Sequence, residues 1–522
     1  MADHVPLARA VLAVGLLLGI AADALLRQGP GGLGFLLWIA LAALSGLALA
    51  GRAGRRVPRE ALAWFLAAIA FAAAMCWRGD QQLQFLNFVA TVCALGMAAT
   101  VIAGTPIAGI FGARVRDLVA ATAVVLGDIV GGTPRLVARD GALRARGPTR
   151  RVSGARALAR AVVITVPIVG VLAALLVSAD PIFATLVRLP PLDPKWLVSH
   201  ALMIGCFAWL SAGWGRRVAL AEAGAGAGAG GSTVPDVPAA FALGTTDVAV
   251  LLGSMIVLFT AFMSVQLGWL FGGAAFLEAR AGLTVAQYAR RGFFELLWVA
   301  LIVSPVLLGT RALVSGDATA RRWHARLAFP LIVLVCAMMG SAVERMRLYV
   351  GYFGLTSDRF FALAFMGWLA VVLVWLALTV LRDRGAPFVG GSVLAGLAAI
   401  VVLDVADPSA IIARTNLGRP ATAVVGRPRD VNLAYLARLR DGAVPLVIHA
   451  LLDTTGGVVS DPASRSDRCR AALRLLSRPA PVTWQQWNAG DASAAGLIQL
   501  DAPGLRAVAH GCPTPGSTSP AM

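Results

Sequence analysis

Long apolar stretches recur along this chain from residue 5 to residue 404. Each is close to the roughly 20 residues that a helix needs to cross the hydrocarbon core of a bilayer. In lipid the backbone must satisfy its own hydrogen bonds, so we expect the crossing segments to be helices. Charged residues make up only 14% of the 522 residues, against about 25% in a soluble domain. The sequence therefore predicts an all-α polytopic membrane protein embedded in a lipid bilayer.

The apolar stretches divide into about eleven transmembrane helices of the length that a bilayer requires. The predicted spans lie near residues 5–26, 31–51, 60–77, 83–103, 161–179, 197–215, 246–273, 293–310, 327–349, 361–381 and 388–406. We assign residues 1–406 to a transmembrane helical bundle. We assign residues 407–522, where the composition changes, to a small and mostly helical C-terminal domain.

Arginines in the connections between spans set the predicted orientation. They cluster in residues 52–59, 135–160, 216–217, 311–326 and 382–384. With eleven spans all of these clusters fall on one side, which the positive-inside bias makes cytoplasmic. We therefore expect a cytoplasmic N-terminus and an extracytoplasmic C-terminal tail.

The net charge of +18 has the same explanation and does not require a nucleic-acid partner. Lys195 is the only lysine in the chain, and such a preference for arginine indicates GC-rich codons and a bacterial source. We accordingly predict the bacterial inner membrane as the location.

Segment 113–133 has one apolar face and one polar face at helical spacing. The apolar face carries Val115, Leu118, Val119, Val125, Leu126 and Ile129, and the polar face carries Arg114, Asp117 and Asp128. This pattern predicts an amphipathic helix in the cytoplasmic interface. A span here would move every later arginine cluster outside.

The connection 216–244, which contains a glycine and alanine run, is predicted to be a flexible cytoplasmic loop.

The tail carries two features that constrain its structure. Asp407 and Pro408 follow the last span, and these residue types suit the N-cap and the first position of a helix. Cys469 and Cys512 are the only cysteines in the tail. They can form a disulfide if the tail lies in an oxidising compartment, and two free or buried thiols are the alternative.

Motifs that would indicate catalysis are missing from the sequence. A nucleotide-binding P-loop needs a lysine after glycine, and Lys195 follows Pro194. The five histidines have no metal-ligand spacing, and no serine-nucleophile motif occurs. We predict no cofactor and no metal, and the balance favours a protein that is not an enzyme.

Charges at the predicted outer ends of spans form the candidate site. The candidate residues are Glu344, Arg347, Glu295, Arg291, Asp180 and Asp404. Glu344 and Arg347 are three residues apart, so they share a helix face and can pair. Charges at membrane depth usually face the protein interior, which predicts an outward-facing polar site. The alternative is a set of interfacial anchors that reach the headgroups.

Several sequence blocks occur in an order that is similar to a known family. They are residues 259–273, 282–296 and 344–359, followed in the tail by 411–416, 435–439, 441–445 and 484–488. Together they resemble the bacterial membrane family catalogued as domain of unknown function 4173. The resemblance implies a polytopic membrane protein and no assigned activity.

Three functions from different classes remain open at this point. The first is a non-catalytic envelope sensor or assembly component, whose tail meets an envelope protein or a lipid headgroup at the outer face. The second is a transporter of an unknown solute, although the charges in the spans lie at span ends and not at mid-membrane. The third is a lipid-linked glycosyl transferase. Such enzymes carry acidic residues in a long first outer loop, where this chain has only residues 27–30.

Overall fold

The computed structural model describes residues 4–29, 31–104, 115–140, 169, 194–221, 243–281, 293–314, 318–379, 388–419, 432–440, 442–453, 462–478 and 483–510. The regular secondary structure within these residues is helical, apart from one isolated bridge between Leu243 and Val314. The helices are α1 His4–Leu26, α2 Leu33–Arg52, α3 Arg59–Trp77, α4 Gln81–Ile102, α5 Val115–Ala138, α6 Pro194–Leu220, α7 Thr245–Ala281, α8 Phe293–Leu313, α9 Ala318–Phe353, α10 Ser357–Thr379, α11 Phe388–Ala406, α12 Pro408–Leu417, α13 Leu433–Leu436, α14 Ala443–Leu452, α15 Pro462–Leu476, α16 Ala489–Leu500 and α17 Ala502–His510.

Nine of the described helices are long and apolar enough to cross a membrane, and they are α1 to α4, α6, α7 and α9 to α11. The predicted all-α polytopic class is therefore confirmed. Helix α8 also lies where the sequence predicts a span. The predicted span at 161–179, apart from residue 169, and residues 222–242 of the predicted flexible loop lie outside the described residues.

The chain divides into two compact units. Unit 1 comprises Met1–Ala70, Thr91–Thr105 and Ala121–Ala227, and unit 2 comprises Phe71–Ala90, Pro106–Ala120 and Gly228–Met522. The tail helices thus belong to the same unit as the later spans. A separate C-terminal domain that begins at residue 407 stays a prediction.

In unit 1, glycines let α1 lie directly against α6. A Cβ atom on Gly19 would lie 2.5 Å from the carbonyl oxygen of Ile204, and one on Gly15 would lie 2.7 Å from the Cβ of Ala212. The two glycines are four residues apart, which puts them on one face of the helix. Small residues at this spacing allow membrane helices to approach closely and pack by van der Waals contact.

Helix α5 packs on α6 through a still closer contact. A Cβ atom on Gly213 would lie 1.8 Å from the carbonyl oxygen of Ile129. Beside it, Thr133 Oγ1 donates to Trp209 O, and Trp209 Nε1 donates to Val130 O, both at 2.7 Å. The predicted helix over 113–133 is thus observed, and it continues to Ala138. Its position in the cytoplasmic interface stays a prediction.

Arg55, one of the arginines in the first cluster, binds the ends of two helices in unit 1. Its Nη1 donates to Ile102 O and its Nε donates to Ala219 O, both at 3.2 Å, and its Nη2 donates to Ala221 O. The last carbonyls of a helix have no partner within the helix and carry the negative end of its dipole. Burial lowers the pKa of the Arg55 guanidinium.

Within its described residues, unit 2 has two apolar cores. The first joins helices α7 to α11 and includes Leu252, Leu307, Leu331 and Leu373. The second joins the tail helices to the connection between α9 and α10, and it includes Leu355, Ile412, Leu436, Val447, Leu451 and Leu475. Because Leu355 belongs to the second core, the tail packs on the connection between two spans.

We expect Gly213→Ala to destabilise the purified protein by about 1–3 kcal/mol, because the added methyl group overlaps the α5 backbone. The measurement is the thermal unfolding midpoint in detergent. Gly205→Ala in the same helix is the control, since a Cβ atom there meets nothing within 4 Å. Equal midpoints for the two variants would contradict the described contact between α5 and α6.

Candidate functional site

Arg78 follows the last residue of α3 and joins that span to the end of α11. Its Nε donates to Asp404 O at 2.8 Å, and its Nη1 donates to Asp407 Oδ2 at 2.7 Å. The guanidinium also lies over the ring of Trp77, 4.2 Å from its centroid. These three contacts fix the Arg78 side chain between two spans at the point where the tail begins.

Asp407 has an unusual backbone conformation that places its carboxylate in this contact. With φ at 55° it is the one non-glycine residue with positive φ among those described. Its Oδ1 accepts from Ala410 N at 3.0 Å, so it caps α12 as the sequence predicts, and Pro408 occupies the first turn. Its Oδ2 accepts from Gly442 N at 3.2 Å as well as from Arg78. One carboxylate thus binds a span end and the starts of two tail helices.

Two further carboxylates lie buried beside this ion pair. Asp80 Oδ1 caps α4 by accepting from Gln82 N and Leu83 N, both at 3.1 Å, and Ser409 Oγ donates to Asp80 Oδ2 at 3.4 Å. Asp404 lies within α11, and its Oδ1 accepts from Asn87 Nδ2 at 2.8 Å. Helix capping therefore explains Asp80 and Asp407, whereas Asp404 forms a polar contact between two spans.

The connection between α9 and α10 forms a second set of contacts with the tail. Asn416 accepts from Leu355 N and donates to Leu355 O, both at 2.7 Å. Ser357 N donates to Tyr435 Oη at 2.8 Å. Gly354 has φ at 82°, and a Cβ atom there would lie 2.5 Å from the Asn416 Oδ1. A glycine is therefore needed at this position for both its conformation and its close contact.

Arg419 completes this set by binding the end of α9. Its Nη2 donates to Gly351 O at 2.7 Å. Burial lowers the pKa of the Arg419 guanidinium. Gly351, Gly354, Asn416 and Tyr435 all lie in the sequence blocks that carry the family resemblance. These residues therefore serve to hold the tail against the connection between α9 and α10.

Asn488 forms the third contact between the tail and a span. Its Nδ2 donates to Met75 O at 2.7 Å and to Arg78 O at 2.9 Å. Its Oδ1 accepts from Gly490 N at 2.9 Å and so caps α16. The same side chain therefore satisfies the C-terminal end of one helix and the N-terminal end of another.

An open groove runs along the tail beside these contacts. It has a volume of about 700 Å³ and is lined by Pro445, Ile448, His449, Leu452, Asp453, Leu497 and Asp501. A smaller hollow of about 230 Å³ shares Pro445 and Leu497 with it and reaches Arg78 and Asp407. The groove thus combines an apolar floor with two carboxylates and one imidazole.

The residues predicted for the outer cluster have different environments. Arg347 Nη1 lies 3.7 Å from Glu344 Oε2, and these side chains are 74% and 44% exposed. Glu295 is exposed, whereas Asp404 is buried against Asn87. Asp180 and Arg291 lie outside the described residues. A single site built from all of these charges stays a prediction.

Arg345 lies between Glu344 and Arg347 near the end of α9. Unlike these two neighbours, its charged side chain is buried. Its Nη2 donates to Gln266 Oε1 from α7, and Ser341 Oγ donates to the same oxygen at 3.2 Å. Its position along the helix is consistent with this burial. Arg345 lies seven residues, or two helical turns, after the buried Met338, so the two side chains share one helix face.

The site residues predicted from the sequence do not include Arg78, Asp80, Asn87 or Asn488. Arg78 has one detectable signal, because the predicted topology puts it outside, against the positive-inside bias. Asp80 directly precedes α4, where aspartate is a common helix cap, and Asn488 lies in one of the blocks of the family resemblance. Asn87 has an ordinary polar side chain, and its partner Asp404 is 317 positions away.

The sequence predicts that the two tail cysteines can form a disulfide and that the chain has no metal site. Cys469 is disulfide-bonded, while Cys76, Cys93, Cys206 and Cys336 are free thiols. Cys512 lies outside the described residues, so the predicted pair stays a prediction. In the part of the chain that the structure describes, no three His, Cys, Asp or Glu residues form a group that could hold a metal ion.

We expect Arg78→Ala to loosen the tail, because removing one partner leaves the Asp407 carboxylate uncompensated, at a cost of up to about 3–5 kcal/mol for a buried pair. The measurement is amide hydrogen exchange of α12 in detergent, which should become faster. Arg347→Ala is the matched control. It also removes one arginine from an ion pair, but an exposed pair contributes below about 1 kcal/mol. Equal protection of α12 in both variants would contradict the assigned role of Arg78.

Comparison with known proteins gives a match to a family of unknown function. No curated protein and no solved structure matches the chain. A family model described as domain of unknown function (DUF4153) matches residues 61–450, which is most of the chain. Its number differs from that of the family whose sequence blocks this chain resembles, and neither description assigns an activity. The chain belongs to the family of proteins with domain of unknown function 4153.

Proposed function

We propose that this chain is a non-catalytic component of the bacterial cell envelope, a sensor or an assembly factor, which binds a protein partner through its extracytoplasmic tail. The observation that carries the proposal is the fixed placement of the tail. Arg78, Asn416 and Asn488 hold it against the ends of spans, so the open groove has a defined position relative to the membrane helices.

The predicted topology gains support from a contact between two span ends. Gln82 Nε2 donates to Asp358 Oδ1 at 2.8 Å, so the start of α4 and the start of α10 lie on the same side of the bilayer. This arrangement requires an even number of crossings between the two residues. The eleven-span prediction has six spans there, whereas an additional crossing by segment 113–133 would make the number odd.

Two observations favour an outer position for the tail. The arginine clusters lie on the opposite side in the predicted topology, where the positive-inside bias puts the cytoplasm. Cys469 is disulfide-bonded, and disulfides persist in oxidising compartments such as the bacterial periplasm.

The groove suits a protein partner better than a catalytic role. Ile448, Leu452 and Leu497 contribute apolar side chains to its lining, and Asp453 and Asp501 contribute carboxylates. Apolar side chains combined with polar groups are the usual composition of a protein interface. The two carboxylates favour a partner segment with apolar and basic side chains.

A transporter is the second candidate, and buried polar contacts between spans favour it. Asp404 with Asn87 and Arg345 with Gln266 each join two membrane helices. Polar side chains within spans often mark a solute or ion pathway. The glycosyl transferase alternative has weaker support, because the connection 27–32 between α1 and α2 is short and has no acidic residue.

The orientation can be tested with reporter fusions. We expect alkaline phosphatase fused after His510 to be active and green fluorescent protein at the same position to be dark, because the tail is exported. Fusions after Thr379, at the predicted cytoplasmic end of α10, should give the reverse pattern. Green fluorescence from the His510 fusion would contradict an extracytoplasmic tail.

Binding at the groove can be tested with a photoreactive amino acid at Leu452 in the full-length protein in its native cells. We expect one defined protein adduct, which Leu497→Glu should abolish by placing a charge on the apolar floor. The same photoreactive residue at Leu500 is the control, because Leu500 is exposed on α16 but does not line the groove. Absence of an adduct, or the same adducts from both positions, would contradict the groove as the binding surface.

A further inference from the structure

A short turn of the tail, residues 484–486, ends two residues before Asn488. Asn488 is 2% exposed and donates to two backbone carbonyls at the end of α3, those of Met75 and Arg78. Consecutive Cα atoms are about 3.8 Å apart, so Trp487 begins within that distance of Asn488. The turn is therefore held at the depth at which a membrane-spanning helix ends.

Three tryptophans lie within a few residues of this contact along the chain and leave much of their surface uncovered. Trp484 is 55% exposed, Trp487 is 43% exposed, and Trp77 at the end of α3 is 46% exposed. They come from two segments that are remote in the sequence, and the Asn488 hydrogen bonds bring these segments together. Large apolar side chains that are exposed together indicate a surface that contacts something other than water.

The composition of the turn indicates which surface it contacts. Residues 483–488 contain no charged side chain. Tryptophan favours the boundary between headgroups and acyl chains, where its ring is in an apolar layer and its N–H can bind water or lipid oxygens. Trp77, the last residue of α3, lines the same hollow as Ala489 and Gly490, so it lies near the residues that follow the turn. A bilayer is therefore the occupant that fits both the depth and the chemistry of this patch.

We propose that the turn at 484–487 is a lipid-binding surface, through which the tail inserts Trp484 and Trp487 into the headgroup region beside Trp77. The tail then contacts the membrane directly as well as the ends of the spans. This inference does not depend on which side of the membrane the tail occupies, so it is independent of the proposed function.

The test uses the full-length protein in lipid nanodiscs, with a fluorescent amino acid introduced at Trp484 in one variant and at Trp487 in another. Nitroxide groups on lipid headgroups report contact with the interface, and iodide reports access from water. We expect both positions to lose most of their fluorescence with headgroup nitroxides and to be protected from iodide.

Two positions calibrate the result. Leu394, exposed on span α11, should respond to nitroxides on acyl chains, and the exposed Arg470 of the tail should respond to iodide. Only monodisperse variants are compared, and either tryptophan position can carry the test if the other variant does not fold. Iodide quenching as strong as at Arg470, without quenching by lipid nitroxides, would overturn the proposal and leave a protein as the occupant of the patch.

Discussion

The backbone groups at the ends of membrane helices need hydrogen-bond partners. The arrangement of unit 2 depends on which residues supply those partners. The last carbonyls of a helix have no partner inside it, and one left buried without any costs about 1–3 kcal/mol. At the end of α3, Asn488 binds Met75 O. At the end of α11, Arg78 binds Asp404 O, and near the end of α9, Arg419 binds Gly351 O. The same hydrogen bonds therefore satisfy the backbone carbonyls at the helix ends and hold the tail in position.

Arginine performs much of this work in both units. In the tail, Arg468, Arg474 and Arg478 each donate to a backbone carbonyl, those of Leu451, Ala434 and Leu439. Arg55 does the same for two helices of unit 1. A guanidinium has five donors and remains charged when its pKa falls on burial, so it suits this role. The high arginine content that indicates topology in the sequence thus also supplies helix caps in the structure.

The features predicted correctly from sequence are those that depend on local pattern. The apolar windows gave the membrane class, and the Asp407–Pro408 pair gave the start of α12. The pairing of Asn87 with Asp404 joins residues 317 positions apart, and no local pattern encodes such a contact. The same holds for Asn488, whose two carbonyl partners are backbone atoms and leave no mark on residue type. The candidate site was therefore predictable only as a set of outer charges, without its partners.

The contact between Arg78 and Asp407 has a consequence for the order in which the chain is made. The two residues are 329 positions apart, which at roughly 5–20 residues per second means that synthesis of Asp407 follows that of Arg78 by about 15–65 s. During that interval the α3–α4 hairpin is in the membrane while Arg78 and the carbonyl of Met75 lack the partners that the tail supplies. Asn488 is made later still. The end of α3 is therefore completed only when a residue 413 positions later has been made, and a nascent chain that stalls before the tail leaves this helix end without those partners.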